Sequence, residues 1–369
     1  MACFRCRGCS DRCWPLASTA RRCGGFRGCS ASSSCCAACR LQPEVDPMSA
    51  PLVSIVIATY RSRHDHLRVA IGSALAQSMA DVEVIVSDDS PDDALSELMA
   101  SFRDQRLRYR YNAPALGVAR NHWVSFGEAR GEFIVILNHD DWLAPAFVER
   151  LAGAMQAEPQ AVLAFCDHWV IDVEGERLAS DTDRNTAAWG RAQLGRGLHR
   201  SFAPLVAAQS IPMAMGAMFR RSALPALLPD DAGPAYDLWL TYLLCRTGGA
   251  AWYESERLSA WRTHAGNLTS EGGLEWLHGT ATCWAAMARD ANFAALHPLA
   301  RRRAADSFNG CAVRSWAHAQ HARCVRYAWQ SLACTPTVKA VAALLMPLLP
   351  SRFAPARWAR GAATARHSS

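Results

Sequence analysis

Phe133-Ile134-Val135-Ile136-Leu137-Asn138-His139-Asp140-Asp141 is the stretch that decides the fold. Five apolar residues in an unbroken run have the length of a strand buried on both faces. The run then stops on four polar residues. Adjacent carboxylates repel, which raises one pKa unless a cation neutralises them. A hard divalent ion with oxygen ligands meets that need, and diphosphate oxygens can complete its shell. Taken alone, Asp140 and Asp141 read equally well as a cap for the helix that starts at Pro145.

The pattern repeats upstream. Leu52 to Ala58 is a short β-branched run broken at Thr59-Tyr60, and Val82 to Ser87 is another, stopped by Asp88-Asp89-Ser90-Pro91. Between them, apolar residues at Leu67, Ala70, Ile71, Ala74 and Leu75 have helical spacing. A helix over 94–102, a strand over 107–111, and helices over 118–130 and 145–157 complete a β-α alternation. Such an order predicts a mainly parallel, Rossmann-like α/β sheet with helices on both faces. In such sheets ligands bind beyond the carboxyl ends of the strands. Thr59-Tyr60, Asp88-Asp89 and Asp140-Asp141 all fall there, so residues 51–145 are expected to bind a ligand.

Beyond 160 the order loosens. Strands are expected over 162–167, 213–219 and 252–261, a helix over 236–245, and a polar, Gly-rich mobile loop over 172–200. From Leu274 onward the chain reads as helical. The expected organisation is a leader over 1–47, an α/β domain over 48–272 and a helical extension with a basic tail over 273–369.

The totals exclude little but shape the rest. The 369 residues are 50% hydrophobic, enough for one sizeable core. The net charge of +6 is modest and does not call for a nucleic-acid partner. Nine of 15 cysteines precede position 40, in a segment with no continuous apolar stretch of the kind a secretory signal needs. Met48-Ser49-Ala50-Pro51 leads straight into a strand, as a natural start would, so the leader reads as an over-extended start; a disordered tail and a metal module are the other readings. The remaining cysteines have no CxxC pairing, the mark of a reduced, cytoplasmic protein with inert thiols. Val338 to Leu349 is apolar but shorter than the roughly 20 residues a bilayer span needs. With Arg352, Arg357 and Arg360 following, it fits peripheral contact with an anionic membrane at its inner face; a helix packed on the body is the competing reading.

Two further clusters carry chemistry. Asp237 opens an apolar helix, where it can stabilise the first turn or take a proton from an acceptor hydroxyl. Arg262 and His264 lie in a loop after a strand, solvated or placed to meet phosphate and metal.

In that order, these residues resemble the family 2 glycosyltransferases over roughly 51–270. Pro51 to Tyr60 resembles the family's opening strand and turn, with Ala58 and Arg61 in place of Pro and Asn. Val82 to Asp89 resembles the segment ending in Asp-Asp-Gly-Ser. Gly117-Val118-Ala119-Arg120-Asn121 is similar to the stretch beside the sugar nucleotide. Asn138-His139-Asp140-Asp141 resembles Asp-x-Asp-Asp, with Asn138 at its first position. Tyr236-Asp237-Leu238-Trp239 resembles the helix of the catalytic base, although Ala235 stands where many relatives carry an acid. Arg262-Thr263-His264 with Asn267 resembles the loop that closes over the diphosphate, with Trp261 in place of Tyr.

The resemblance implies a GT-A fold and a metal-dependent inverting transferase. Thr59, Tyr60, Asp88, Asp89, Arg120, Asn121, Asn138 and Arg262 would bind a nucleotide-sugar donor. Asp140, Asp141 and His264 would hold Mg2+ or Mn2+, and Asp237 would be the base. The acceptor would be a saccharide or lipid-linked saccharide in cell-surface polysaccharide or lipopolysaccharide assembly. A nucleotidyltransferase acting on sugar phosphates is the nearest alternative, but the loop after the first strand carries no glycine. A non-catalytic nucleotide-binding protein on a decayed fold is the other, favoured by Asn138 and Ala235.

Overall fold

The structure, a computed structural model, describes residues 50–92, 94–264 and 273–350. The readings of the leader, of Asn267 and of the basic tail after 350 lie outside these residues.

Strand β1 (Val53–Thr59), helix α1 (His64–Leu75), β2 (Val82–Asp88), α2 (Ser96–Ser101), β3 (Leu107–Tyr111), α3 (Val118–Glu128) and β4 (Phe133–Ile136) follow the expected alternation. Every residue of β1, β2 and β4 is buried, which is why these strands are continuous apolar runs rather than alternating ones. They pair in parallel in the order β3-β2-β1-β4. The register sets Thr59 opposite Asp88, so the polar ends of β1 and β2 share one edge of the sheet.

The opposite edge is locked by charge. Buried Glu83 accepts from Ser54 Oγ at 2.7 Å, from the backbone N–H of Arg130 at 2.8 Å, and from the Arg130 guanidinium. Ser54 Oγ accepts in turn from the Gly131 N–H at 2.9 Å. Gly131 is obligatory, because a Cβ there would stand 2.6 Å from the backbone nitrogen of Ser54.

The second half is mixed. It contains β5 (Trp142–Leu143), α4 (Phe147–Ala157), β6 (Ala161–Ile171), α5 (Ala179–Ala188), β7 (Gly197–His199), α6 (Ala203–Ala208), α7 (Met213–Gly216), β8 (Ala217–Arg220), α8 (Tyr236–Cys245) and β9 (Ala250–Arg262). β8 runs antiparallel between β4 and β6, β9 runs parallel to β6, and β5 and β7 both add to β9 antiparallel. Three expectations change here. Residues 172–200 carry α5, a short 3-10 turn and β7 instead of a mobile loop, because Thr182 and Thr186 anchor α5 to β6 through bonds to Val170 N and Asp167. The run 213–219 begins as a turn of helix and becomes strand only at Ala217. β5 follows Asp141 immediately, where no strand was expected.

Helices α9 (Leu274–Met287), α10 (His297–Ala317), α11 (His321–Cys334) and α12 (Val338–Leu345) form the C-terminal region. They share one core with the sheet: Phe126, Phe219, Trp239, Trp284, Phe308 and Tyr327 belong to a single buried cluster. α9 approaches the segment before α8 through Gly279, whose Cβ would fall 3.1 Å from Ala235 Cβ and closer still to Ala232. Among the described residues no helix is long and apolar enough to cross a membrane. All six described cysteines are free thiols, and burial pushes those of Cys166 and Cys311 up to about 12, so they are poor nucleophiles.

Candidate functional site

The carboxyl ends of β4 and β9 meet around Asp141. Its side chain is fully buried and accepts from the backbone N–H of Arg262 at 2.7 Å and from Asn138 Nδ2 at 2.9 Å. Burial and neighbouring Asp140 push its carboxyl up, opposed by those two donors. Each oxygen thus has one protein donor, and Asp141 ties the β4 loop to β9. The same geometry explains Asn138. An aspartate there would face Asp141 as a second carboxylate, whereas the Asn amide donates to it.

Arg262 completes the tie. Nε donates to Asp140 O at 2.8 Å, and NH1 donates to Asp172 O at 3.0 Å and Val173 O at 2.9 Å. The residue is 3% exposed. Its guanidinium braces these carbonyls. The brace leaves the Asp140 carboxylate half-buried on the cavity wall, with Oδ2 2.9 Å from His264 Nε2. A carboxylate and an imidazole so placed suit Mg2+ or Mn2+ when substrate phosphates complete the shell, since such ions commonly take one or two protein carboxylates. Among the described residues no set of three or more His, Cys, Asp or Glu side chains converges. The donor set thus fits an ion shared with a ligand and not an all-protein cage.

Beside Asp140 opens a cavity of about 420 Å³. Asn138, Asp140, Asp237, Trp261 and His264 line it together. Asp237 sits on the first turn of α8, and its Oδ1 accepts from the Leu238 N–H at 2.7 Å. Burial raises its carboxyl, which makes the carboxylate a stronger base. Ala235 is fully buried against Gly279, so no acid fits at that position. Tyr236, also on the wall, bonds His122 Nε2 at 2.7 Å through its hydroxyl.

The other expected donor-binding residues lie off this wall, along β1, β2 and α3. Asp88 accepts from the Ser90 N–H at 2.9 Å and from Tyr109 Oη at 3.0 Å. Asp89 accepts from Asn112 Nδ2 at 2.9 Å and from the Gly117 N–H at 2.8 Å. Gly117 has φ +83°, a conformation that glycine adopts without strain, and it starts α3. Asn121 is buried, donating to Ser87 O at 3.1 Å, so it braces the shelf from behind. Thr59 is buried and bonded to Ser62, whereas Tyr60 is 54% exposed with Arg61 stacked on its ring. Arg120 is exposed on α3.

A family model described as Glycosyl transferase family 2 matches residues 54–227, which run from the second residue of β1 through β8 and include the Asp140 loop. Over those residues the chain is similar to glycosyltransferase family 2. The succinoglycan biosynthesis protein ExoO of Rhizobium meliloti (strain 1021) is 36% identical over 140 residues, 37% of this chain and 38% of that protein. The O-antigen biosynthesis protein RfbC of Myxococcus xanthus is 30% identical over 132 residues, 35% of this chain and 10% of that protein. The chain thus spans less than half the length of these curated relatives. The crystal structure of S. aureus TarS 1-349 in complex with UDP-GlcNAc superposes with a TM-score of 0.54 at 13% identity, covering 83% of this chain and 87% of that one. That likeness bears on the fold, which is the GT-A fold expected from sequence.

Several wall residues were not expected from the sequence. His168, Asn185, Trp189 and Arg191 lie on the cavity, as do Gln209 and Trp276. All but two fall in 172–216, read as loop and strand. His168 and Trp169 next to Asp167 were the available signal, since polar residues at the end of an apolar strand mark a ligand edge.

Proposed function

We propose that the chain is a metal-dependent inverting glycosyltransferase that moves a sugar from a nucleotide-sugar donor to an acceptor hydroxyl. The single observation that carries this reading is the cavity on which Asp140, His264 and Asp237 converge at the strand ends. The complex of TarS with UDP-GlcNAc supports a nucleotide-sugar donor. The names of ExoO and RfbC support a role in cell-surface polysaccharide or O-antigen assembly.

In this reading Asp88 and Asp89 face the nucleoside, and Asp140 with His264 would hold Mg2+ or Mn2+. When bound, the ion supplies charge neutralisation to the leaving diphosphate. Asp237 takes the acceptor proton as the acceptor oxygen bonds the anomeric carbon and the anomeric carbon–phosphate oxygen bond breaks. The new bond forms on the face opposite the leaving group, so the configuration inverts. The wall of the cavity excludes water and orients the acceptor, the source of much of the rate.

The membrane reading also belongs here. α12 buries Ala340 and Ala343 and exposes Val338, Val341 and Leu345, with Leu348 next in line. That stripe, with the arginines after 350, suits peripheral contact with an anionic bilayer from the cytoplasmic side, where a lipid-linked acceptor would reside. The test of the whole is hydrolysis and transfer by the purified protein with UDP-GlcNAc and other nucleotide sugars plus Mn2+. Activity lost in Asp140→Ala and a product of inverted configuration are expected. A retained configuration would sink the mechanism.

A further inference from the structure

One wall of the cavity is not used by the chemistry above. His168 lies near the end of β6, only 3% exposed, and faces the cavity. Neither of its ring nitrogens makes a hydrogen bond of acceptable geometry, although Asn185 lies near enough to act on the ring. Two bare nitrogens in a buried ring are uncommon, because a buried polar group without a partner costs free energy. Their position is not an accident of packing. The pairing of β6 with β9 shifts register three times, and two of the shifts, at Cys166/Asp167 and at Asp167/His168, adjoin this residue. Bulges of this kind re-aim side chains and gather beside ligand sites.

The charges around His168 narrow what it could meet. Arg191 is the only Lys or Arg on the described wall. Its Nε donates to Asp167 Oδ1 at 2.8 Å, both side chains are almost wholly buried, and NH2 donates to Asn185. Its charge is therefore spent. Asp237 adds a carboxylate to the same cavity. Burial, followed by the Arg191 charge, lowers the imidazole to about 3, so His168 is neutral at physiological pH, with one N–H and one lone pair. Trp189 and Trp276 supply flat apolar faces, and such walls with a few placed polar groups are typical of small-ligand sites.

We propose that His168, Asn185, Trp189 and Trp276 form an acceptor subsite that takes the acceptor's terminal sugar as an uncharged ring, and that His168 selects it by donating one hydrogen bond to a sugar hydroxyl and accepting another. The assignment of this sugar as the acceptor rests on the transferase reading; the binding itself does not.

The test uses the full chain with methyl β-D-glucopyranoside, methyl β-D-galactopyranoside and methyl β-D-glucuronide as probes. Quenching of tryptophan fluorescence and saturation transfer to the glycoside read binding. At least one neutral glycoside should bind, with the glucuronide about tenfold weaker. His168→Phe should weaken the neutral glycoside about tenfold, as expected for two lost hydrogen bonds, and His168→Gln, which offers both a donor and an acceptor, should restore most of it. A glucuronide that binds as tightly as the neutral sugars overturns the charge argument. Unchanged binding in His168→Phe, or no neutral glycoside bound to the wild type, overturns the subsite. If the His168 variants lose their melting transition, Trp189→Ala decides, since that side chain is 40% exposed and dispensable to the core; unchanged affinity there overturns the proposal. Donor hydrolysis by the wild type is measured separately. Glycoside binding without hydrolysis of any nucleotide sugar sinks the transferase reading and leaves the subsite, and hydrolysis without glycoside binding does the reverse.

Discussion

Replacing Asp141 separates a structural carboxylate from a metal ligand. In Asp141→Ala the Arg262 N–H and the Asn138 amide lose their acceptor in a site with no solvent exposure. Hydrogen bonds to a charged group contribute about 1.5–3 kcal/mol each. Part of that is offset, because a carboxylate buried beside Asp140 is itself costly and its pKa is raised. The net loss is about 3 kcal/mol, or about 6 °C in melting temperature at about 2 °C per kcal/mol for a large domain. Asp141→Asn keeps one acceptor for the Arg262 N–H, and the Asn138 amide can flip to accept from the new amide. It should lose about 1 kcal/mol and retain Mn2+ binding. Differential scanning calorimetry gives the first quantity, and Mn2+ titration followed by electron paramagnetic resonance gives the second. An Asp141→Asn protein with unchanged melting but no Mn2+ binding would refute this reasoning and restore Asp141 as a ligand.

Two other outcomes follow from the geometry. Asp237→Asn should abolish transfer while leaving nucleotide-sugar affinity within about threefold, a difference of well under 1 kcal/mol. In the wild type the rate should fall as pH drops through the carboxyl pKa of Asp237, which burial places above the ordinary value of 3.8; an acid limb at or below that value in a pH–rate profile would contradict the assignment. Glu83 behaves in the opposite sense. Burial pushes its carboxyl up, but Ser54 and Arg130 outweigh this and hold it below the ordinary 4.5. Its contribution to stability is therefore full above the unfolded pKa and lost as pH falls through the folded one. Glu83→Gln should unfold more readily in urea at pH 7 by about 2–3 kcal/mol, with the gap to wild type narrowing as pH falls below the ordinary 4.5; a gap that does not narrow with acidification would show that the carboxylate is not the cause.

The parallel half of the fold was legible because its strands are buried on both faces and their apolar runs are unbroken. Val53–Thr59, Val82–Asp88 and Phe133–Ile136 needed no tertiary knowledge. The mixed half was harder. Its elements are short, and polar residues such as Thr182 and Thr186 hold α5 to the sheet through side-chain bonds that no periodicity reveals. At the site, Asp140, His264 and Asp237 could be named from their places after strands and at a helix start, and the structure puts them on one cavity. The roles of Asp141 and Arg262 could not be read in the same way. Both are acidic or basic residues at strand ends, and only the pairing of residues more than a hundred positions apart turns them inward. Asn138 and Ala235 looked like signs of decay. Each has a packing reason instead: the first must donate to Asp141, and the second must clear Gly279.

The sheet also divides labour between inheritance and variation. β6 ends at Ile171 and β8 begins at Ala217, and these strands are hydrogen-bonded neighbours. The segment from 172 to 216 leaves the end of β6 and returns to the sheet at β8, adding β7 to β9 on the way and carrying Asn185, Trp189, Arg191 and Gln209 to the cavity. The Asp140 loop is braced by β4 and β9, and of this excursion only the carbonyls of Asp172 and Val173, at its root, take part in the brace. The excursion is in effect an exchangeable cassette. On the transferase reading proposed above, a grafted segment of different length or sequence, retaining that root and β7, would re-specify which sugar is accepted without disturbing the Asp140 loop. On that reading, acceptor range can therefore diversify in such a chain while donor chemistry stays fixed.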